Sequence, residues 1–173
     1  EKTADVPGAM DAVNILLISP DSPTLYQAAS SGFRSDALKK TRLYISDSLS
    51  GQAIRTRTTI HIPNLSESKW SHHAEVIGEE GFVTYFGVPL LAKGQIKGVL
   101  EIYHRNLMEP DAEWRNFLET LAGQAAIAID NSVLFEELQQ TNMNLSLAYD
   151  ATIEGWSKAL DLRDQGSAGH TMR

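Results

Sequence analysis

The sequence predicts an α+β domain in which an antiparallel sheet is followed by one long helix. Short runs of apolar and β-branched residues, separated by turns that contain proline or glycine, predict the strands. The dipeptide Lys93-Gly94 lies between two such runs, where glycine supplies the positive φ that a tight hairpin turn needs. From Pro110 onward the apolar residues recur at helical spacing, which predicts the helix.

Five strands can be placed along the chain. Residues 13–19 and 24–30 predict two strands that are joined by a tight connection, and residues 58–63 predict another that ends at a proline. The first of these runs is apolar at consecutive positions, so we expect both faces of its sheet to be covered. Residues 82–91 and 95–104 predict an antiparallel hairpin.

Two segments between these strands are not predicted to form strands. A short helix is expected around Gln52–Arg55, with Ser46 or Asp47 as its N-cap. Asn64–Glu80 is a long polar insert, and insertions of this length inside a compact domain are often functional. We therefore expect this insert to be a lid over a binding site.

The C-terminal helix is expected to extend from about residue 110 to about residue 163, because no Gly or Pro interrupts the chain between Gly123 and Gly155. Part of its apolar stripe follows coiled-coil spacing. The residues of this stripe are Ile127, Leu134, Leu138 and Leu145. An apolar stripe of this length predicts a parallel homodimer.

Composition excludes several functional classes. Lys and Arg number 15 against 22 Asp and Glu, and the resulting formal net charge of -7 disfavours nucleic acids and anionic lipid surfaces as partners. The absence of cysteine excludes disulfides, thiolate metal sites and thioether-linked pigments. Neither a signal peptide nor an apolar run of roughly 20 residues is present, which predicts a cytoplasmic protein without a membrane partner.

Five sequence blocks follow one another along the chain: Ala28–Phe33, Ser50–Ala53, His61–Leu65, Val88–Glu101 and Leu121–Asn131. In this order and spacing they resemble the GAF domain family over about residues 10–140. The resemblance implies a GAF/PAS-like antiparallel sheet of five or six strands, with helices on one face and a small-ligand pocket on the other. It places a GAF sensory domain at residues 1–140 and a linker helix at residues 141–163.

A second resemblance covers the end of the chain. Residues 147–156, 160–164 and 169–171 are similar to the opening of HD-GYP domains, a type of HD phosphohydrolase. The resemblance makes residues 164–173 the truncated start of such a domain, in which His170 would be a metal ligand and Gly166 stands where the family often has a Glu. Since the chain begins without Met and holds only this opening, we expect a fragment; a divalent metal is expected only in the missing HD domain.

Seven residues are candidates for lining the pocket, because they supply aromatic walls and a few polar atoms. They are Phe33, Tyr44, His61, Trp70, His72, Tyr85 and Tyr103. The alternative is a filled core beneath a loop. No metal site is expected among the histidines of the GAF body, since His72 and His73 are adjacent and point apart on a regular backbone.

These observations favour a small-molecule sensor whose C-terminal helix controls a downstream HD-type metal-dependent phosphohydrolase, such as a cyclic di-GMP phosphodiesterase. The chain itself is expected to be non-catalytic and to need no cofactor, because it has no nucleophile elbow and no Walker loop. The alternative function is a ligand-independent dimerisation module. The Asn-Lys…Phe…Asp-Glu constellation of cyclic-nucleotide GAF domains is missing, which disfavours cyclic GMP or AMP as the ligand. The identity of the ligand otherwise stays open.

Overall fold

The computed structural model describes residues 10–35, 43–67 and 79–168, with side chains through Asp161. The chain divides into two compact units, Glu1–Asp130 and Asn131–Arg173.

The first unit contains an antiparallel sheet of six strands in the order β3-β2-β1-β6-β5-β4. The elements are β1 (Ala12–Ile18), β2 (Thr24–Ser31), β3 (Leu43–Tyr44), α1 (Leu49–Thr56), β4 (Ile60–Ile62), a 3₁₀ turn (Leu65–Glu67), β5 (Thr84–Ala92), β6 (Gln95–His104) and α2 (Ala112–Ala168). The predicted α+β class, antiparallel sheet and long C-terminal helix are confirmed. Strand β3 has only two residues and was not predicted.

The two faces of the sheet are covered by different helices, because successive residues of a strand point to opposite faces. On one face, Phe86, Val88 and Leu90 of β5 form a core with Leu118, Ala122 and Ala126 of α2. We call this the α2 face. The opposite face contains Tyr85 and Tyr103 and lies beside α1, and we call it the α1 face.

Helix α1 lies close to the chain that precedes it. Its N-cap is Ser48 rather than the predicted Ser46 or Asp47, because Ser48 is the extended residue that directly precedes the first helical turn. The Ser48 hydroxyl accepts a hydrogen bond from the Gly51 amide at 3.0 Å and donates one to the Tyr44 carbonyl at 2.8 Å. A Cβ at position 51 would collide with the Ile45 carbonyl, so glycine permits this close approach.

The predicted hairpin between β5 and β6 is confirmed. Lys93 and Gly94 both have positive φ, at 50° and 79°, as a two-residue hairpin turn requires. The hairpin also contacts α2 within the first unit. Asp130 accepts hydrogen bonds from Lys97 at 2.7 Å and Lys93 at 3.0 Å, and these bonds lower the pKa of its carboxyl group.

The second unit is helical from Asn131 to Ala168, and every side chain described from Asn131 to Asp161 is exposed. The described part of the region that resembles an HD-GYP domain belongs to this helix, and no HD domain is present among the described residues. No helix in the described parts of the chain is long and apolar enough to cross a membrane.

Candidate functional site on the α1 face

Four aromatic side chains pack together on the α1 face, and we call them the aromatic cluster: Phe33, Phe82, Tyr85 and Tyr103. The Phe33 ring meets the rings of Phe82 and Tyr103 edge to face, at centroid distances of 5.5 and 5.6 Å. Tyr103 lies 4.8 Å from Phe82 and 5.3 Å from Tyr85. The cluster joins the loop after β2 to strands β5 and β6.

A buried carboxylate lies beside this cluster. The side chain of Glu101 is 4% exposed and accepts hydrogen bonds from the Ser50 hydroxyl at 2.5 Å, the Asn14 amide nitrogen at 2.9 Å and the Tyr85 hydroxyl at 3.1 Å. We call Asn14, Ser50, Tyr85 and Glu101 the polar centre. It links β1, α1, β5 and β6 through one side chain.

Strand register brings these groups together. Asn14 and Gly87 lie opposite Glu101 on the two strands that flank β6, so all three positions share the α1 face. A Cβ on Gly87 would lie 2.5 Å from the Tyr85 hydroxyl. Glycine at position 87 therefore leaves the space in which the Tyr85 hydroxyl reaches Glu101.

The electrostatics of the polar centre follow from its burial. Burial raises the pKa of Glu101, against the opposing effect of hydrogen bonds from Ser50, Asn14, Tyr85 and Tyr103. Burial and the nearby Glu101 charge raise the pKa values of Tyr85 and Tyr103 well above 10.0, so both phenols stay protonated near neutral pH. The side-chain carbonyl oxygen of Asn14 is buried and has no hydrogen-bond partner among the described residues.

A second buried carboxylate lies at the edge of the aromatic cluster. Glu80 is 1% exposed, and its carboxylate accepts hydrogen bonds from the Arg34 amide at 2.9 and 3.1 Å and from the Ser35 amide at 2.8 Å. The Arg105 guanidinium lies 3.5 Å from the same carboxylate. Burial alone would raise the pKa of Glu80, but the hydrogen bonds from Arg34 and Ser35 and the Arg105 charge together lower it.

The structure brings together three of the seven predicted pocket residues, Phe33, Tyr85 and Tyr103. It places His61 on the α2 face, where its ring stacks on Phe86 at 4.4 Å; burial lowers its pKa. Tyr44 is 54% exposed on β3 and does not belong to the aromatic cluster. Trp70 and His72 lie outside the described residues.

Sequence reasoning missed Asn14, Ser50, Glu80, Glu101 and Arg105. One signal for Glu101 was present, because it alternates with Val99 and Tyr103 on one face of its strand and is the only charged residue of those three. A charged residue on an otherwise apolar face of a strand is either exposed to solvent or hydrogen-bonded to a buried partner. The contact between Glu80 and Arg34 spans 46 residues and has no local signature.

No group of three or more His, Asp or Glu side chains in the described parts of the chain could hold a metal ion. His170 lies outside those parts, so its role as a metal ligand of a complete HD domain stays a prediction.

Known proteins resemble this chain in sequence. The family model described as GAF domain matches residues 3–130. The chain is also similar to the phosphoenolpyruvate-dependent phosphotransferase system protein of Escherichia coli strain K12, with 27% identity over 194 residues. That match covers 99% of this chain and 26% of the relative, so the chain spans about a quarter of the relative's length.

Solved structures share the fold. The GAF domain of a phosphoenolpyruvate-protein phosphotransferase from Coxiella burnetii has a TM-score of 0.65 and 22% identity, over 72% of this chain and 74% of that chain. A GAF domain/HD domain protein from Geobacter sulfurreducens has a TM-score of 0.63 and 14% identity, over 72% of this chain and 83% of that chain.

Proposed function

Because the chain belongs to the GAF domain family, we propose that it is a regulatory sensor that binds a small molecule on its α1 face. The observation that carries this proposal is the polar centre around Glu101. A buried carboxylate surrounded by hydroxyl and amide groups weakens an apolar core, and such groups are concentrated at binding sites. The neighbouring aromatic cluster supplies the apolar wall that ligand pockets usually have.

The site is expected to recognise a ligand with hydrogen-bond donors. Glu101 accepts hydrogen bonds from three side chains, and the side-chain carbonyl oxygen of Asn14 accepts none from the described part of the chain. A ligand donor could replace one of the internal donors at Glu101 or pair with Asn14. Ligand entry would then require α1, which carries Ser50, to separate from β6.

Native mass spectrometry of the freshly purified protein tests this proposal. We expect a bound small molecule in the wild type and its loss in Glu101→Gln, which keeps the side-chain shape but removes the carboxylate. Glu79→Gln is the matched control, because Glu79 is exposed and has no part in the polar centre. Equal ligand occupancy in wild type and Glu101→Gln would place the ligand elsewhere.

The rival function is a ligand-independent dimerisation module. One observation favours it: the aromatic rings contact one another and Glu101 is satisfied by side chains of the chain itself. Such packing is also that of a filled core. Under this rival, native mass spectrometry shows protein without ligand, and a library of metabolites leaves the melting temperature unchanged.

We further propose that the chain pairs with a second copy through α2. Leu134, Leu138 and Leu145 are 45%, 66% and 68% exposed, and their spacing is that of a coiled-coil seam. Sedimentation should show a dimer for the wild type at tens of micromolar and a monomer for Leu134→Asp/Leu138→Asp. Met143→Asp is the control, because residue 143 lies nine positions from Leu134, about half a turn out of phase, on the opposite side of the helix.

The downstream partner that we propose is an HD-type phosphohydrolase acting on cyclic di-GMP. The supporting observations are the resemblance of residues 147–171 to the opening of HD-GYP domains and the similar fold of a GAF domain/HD domain protein. The Escherichia coli relative favours a second candidate, a phosphotransferase-system protein, since its match extends over 99% of the chain.

The two candidates predict different activities for the longer protein that contains this chain. An HD-type effector should hydrolyse cyclic di-GMP with a divalent metal and lose that activity on chelation. A phosphotransferase-system protein should instead accept a phosphoryl group from phosphoenolpyruvate. The isolated chain is expected to do neither.

A further inference from the structure

Three donors converge on one carboxylate at the edge of the aromatic cluster. The Arg34 amide, the Ser35 amide and the Arg105 guanidinium all point at the oxygens of Glu80. We call these three groups the oxyanion cradle. Successive backbone amides that face one point, together with a guanidinium, are the arrangement with which proteins bind carboxylates and phosphates.

We propose that the oxyanion cradle is a binding site for a carboxylate or phosphate group of a small-molecule ligand, and that Glu80 occupies it as an internal substitute. This inference rests on the proposed sensor function and specifies the chemical class of its ligand. Glu80 is then a latch that holds residues 79–82 against the loop after β2.

Arg105 is held in place for this role. Its backbone amide donates to the Asp11 carboxylate at 2.7 Å, and its Nε donates to the Glu80 carbonyl at 3.1 Å. The guanidinium also lies 4.7 Å from the centre of the Phe82 ring. The guanidinium also donates a hydrogen bond to the Gly32 carbonyl at 3.2 Å and lies 3.6 Å from the Asp11 carboxylate. Because these two contacts do not involve residues 79–82, the cation would remain in the cradle after the Glu80 carboxylate leaves.

The cradle lies where a ligand of the α1 face could reach it. Arg34 and Ser35, which supply the amides, are exposed, and the neighbouring residue Phe33 belongs to the aromatic cluster. Phe82 lies two residues after Glu80 and belongs to the same cluster. A ligand with an oxyanion at one end and an apolar body could therefore contact the cradle and the aromatic rings at once.

The latch has an advantage over any free anion, because Glu80 is attached to the chain and acts at an effective concentration in the millimolar range or above. A simple anion should not displace it. Only a ligand that also contacts other groups could do so, and this requirement would make the site selective.

The substitution Glu80→Ala removes the carboxylate from the oxyanion cradle, and simple anions are then added as probes. Melting temperatures are measured in sodium acetate, sodium phosphate and sodium chloride at equal ionic strength. We expect acetate or phosphate to raise the melting temperature of Glu80→Ala relative to chloride by more than it raises that of wild type and Glu79→Ala, which measure the general stabilisation by each anion. The acetate and phosphate arms separate the two ligand groups.

A second variant identifies the cradle as the site of the effect. Glu80→Ala/Arg105→Gln should lose most of the stabilisation by anions, since the guanidinium is gone. If Glu80→Ala does not fold in chloride, the gain in refolding yield in acetate or phosphate over chloride is compared with the same gain for Glu80→Ala/Arg105→Gln, and a larger gain for the single variant supports the cradle. Anion effects on Glu80→Ala that are no larger than those on its comparison variants overturn the proposal.

These outcomes are independent of the ligand search. Rescue by acetate or phosphate requires only the cradle, whereas ligand loss in Glu101→Gln concerns the polar centre. A rescued Glu80→Ala together with a wild type that carries no ligand would support the cradle and contradict the sensor function.

Discussion

The two faces of one sheet have opposite chemistry, although the same strands build both. On the α2 face, Phe86, Leu90 and Ile102 pack against Leu118 of the helix, and all four are at most 1% exposed. On the α1 face, the same strands contribute Tyr85, Glu101 and Tyr103 to a network of hydrogen bonds and aromatic contacts. Strand alternation alone separates the two sets.

The contrast between the two faces distinguishes the apolar packing that stabilises the fold from the polar groups that can respond to a ligand. Apolar packing is non-directional, and burial of the side chains on the α2 face stabilises the fold without any hydrogen bond that a ligand could replace. The α1 face contains a carboxylate that accepts hydrogen bonds from three side chains and could exchange one of them for a ligand donor. A polar network of this kind is costly when only partly satisfied, which makes it sensitive to a ligand.

The largest effect in this comparison is expected on the α2 face. Leu118→Ala should lower the free energy of unfolding by about 2 to 5 kcal/mol, because it leaves a cavity in a packed core. Urea unfolding measures the change. Phe117→Ala is the control, since Phe117 is the neighbouring residue and is 54% exposed. Similar losses for both variants would contradict the assignment of the core to this side of α2.

A smaller effect is expected on the α1 face. Glu101→Ala leaves the donors of Asn14, Ser50 and Tyr85 without an acceptor, so we expect a loss of about 1 to 3 kcal/mol in the free energy of unfolding. Ser50→Ala removes one donor only and should cost less. If Glu101→Ala proves more stable than the wild type, the polar centre is not satisfied in the way its distances indicate.

Much of the fold was predictable because its signals are local. The hairpin follows from Lys93-Gly94 between two apolar runs, and the long helix follows from the spacing of its apolar residues. Strand β3 was missed because two residues are too few to show alternation. The cap of α1 was misplaced by one or two residues, since Ser46, Asp47 and Ser48 are all good capping residues and only the backbone decides among them.

The site was less predictable because it depends on register and on distant contacts. Phe33, Tyr85 and Tyr103 were identified as aromatic residues near a loop, and the structure brings them together. His61 was assigned to the same site, but its pairing with Phe86 places it on the α2 face. The sequence of a short strand shows that successive residues alternate between the two faces of the sheet. It does not show which face points toward which helix.

The two buried carboxylates have pKa values that shift in opposite directions from the ordinary value of 4.5. The pKa of Glu80 is lowered, so its contribution to stability is present above pH 4.5 and is lost as the pH falls through its folded-state pKa. The pKa of Glu101 is raised, so its contribution is full below pH 4.5 and is lost as the pH rises through its folded-state pKa.

These signs predict different pH profiles for two isosteric variants, and the effects should be smaller than those of the truncations above. Relative to wild type, Glu80→Gln should flatten the loss of stability on the acid side of pH 4.5, whereas Glu101→Gln should flatten the loss above it. Urea unfolding across this range measures both, with Glu79→Gln as an exposed control. Should Glu80→Gln leave the acid side unchanged, the hydrogen bonds from the Arg34 and Ser35 amides do not favour the charged form. A wild-type slope above pH 4.5 retained in Glu101→Gln would show that another group titrates there, and the polar centre would then differ little in its response to pH from the apolar core on the α2 face.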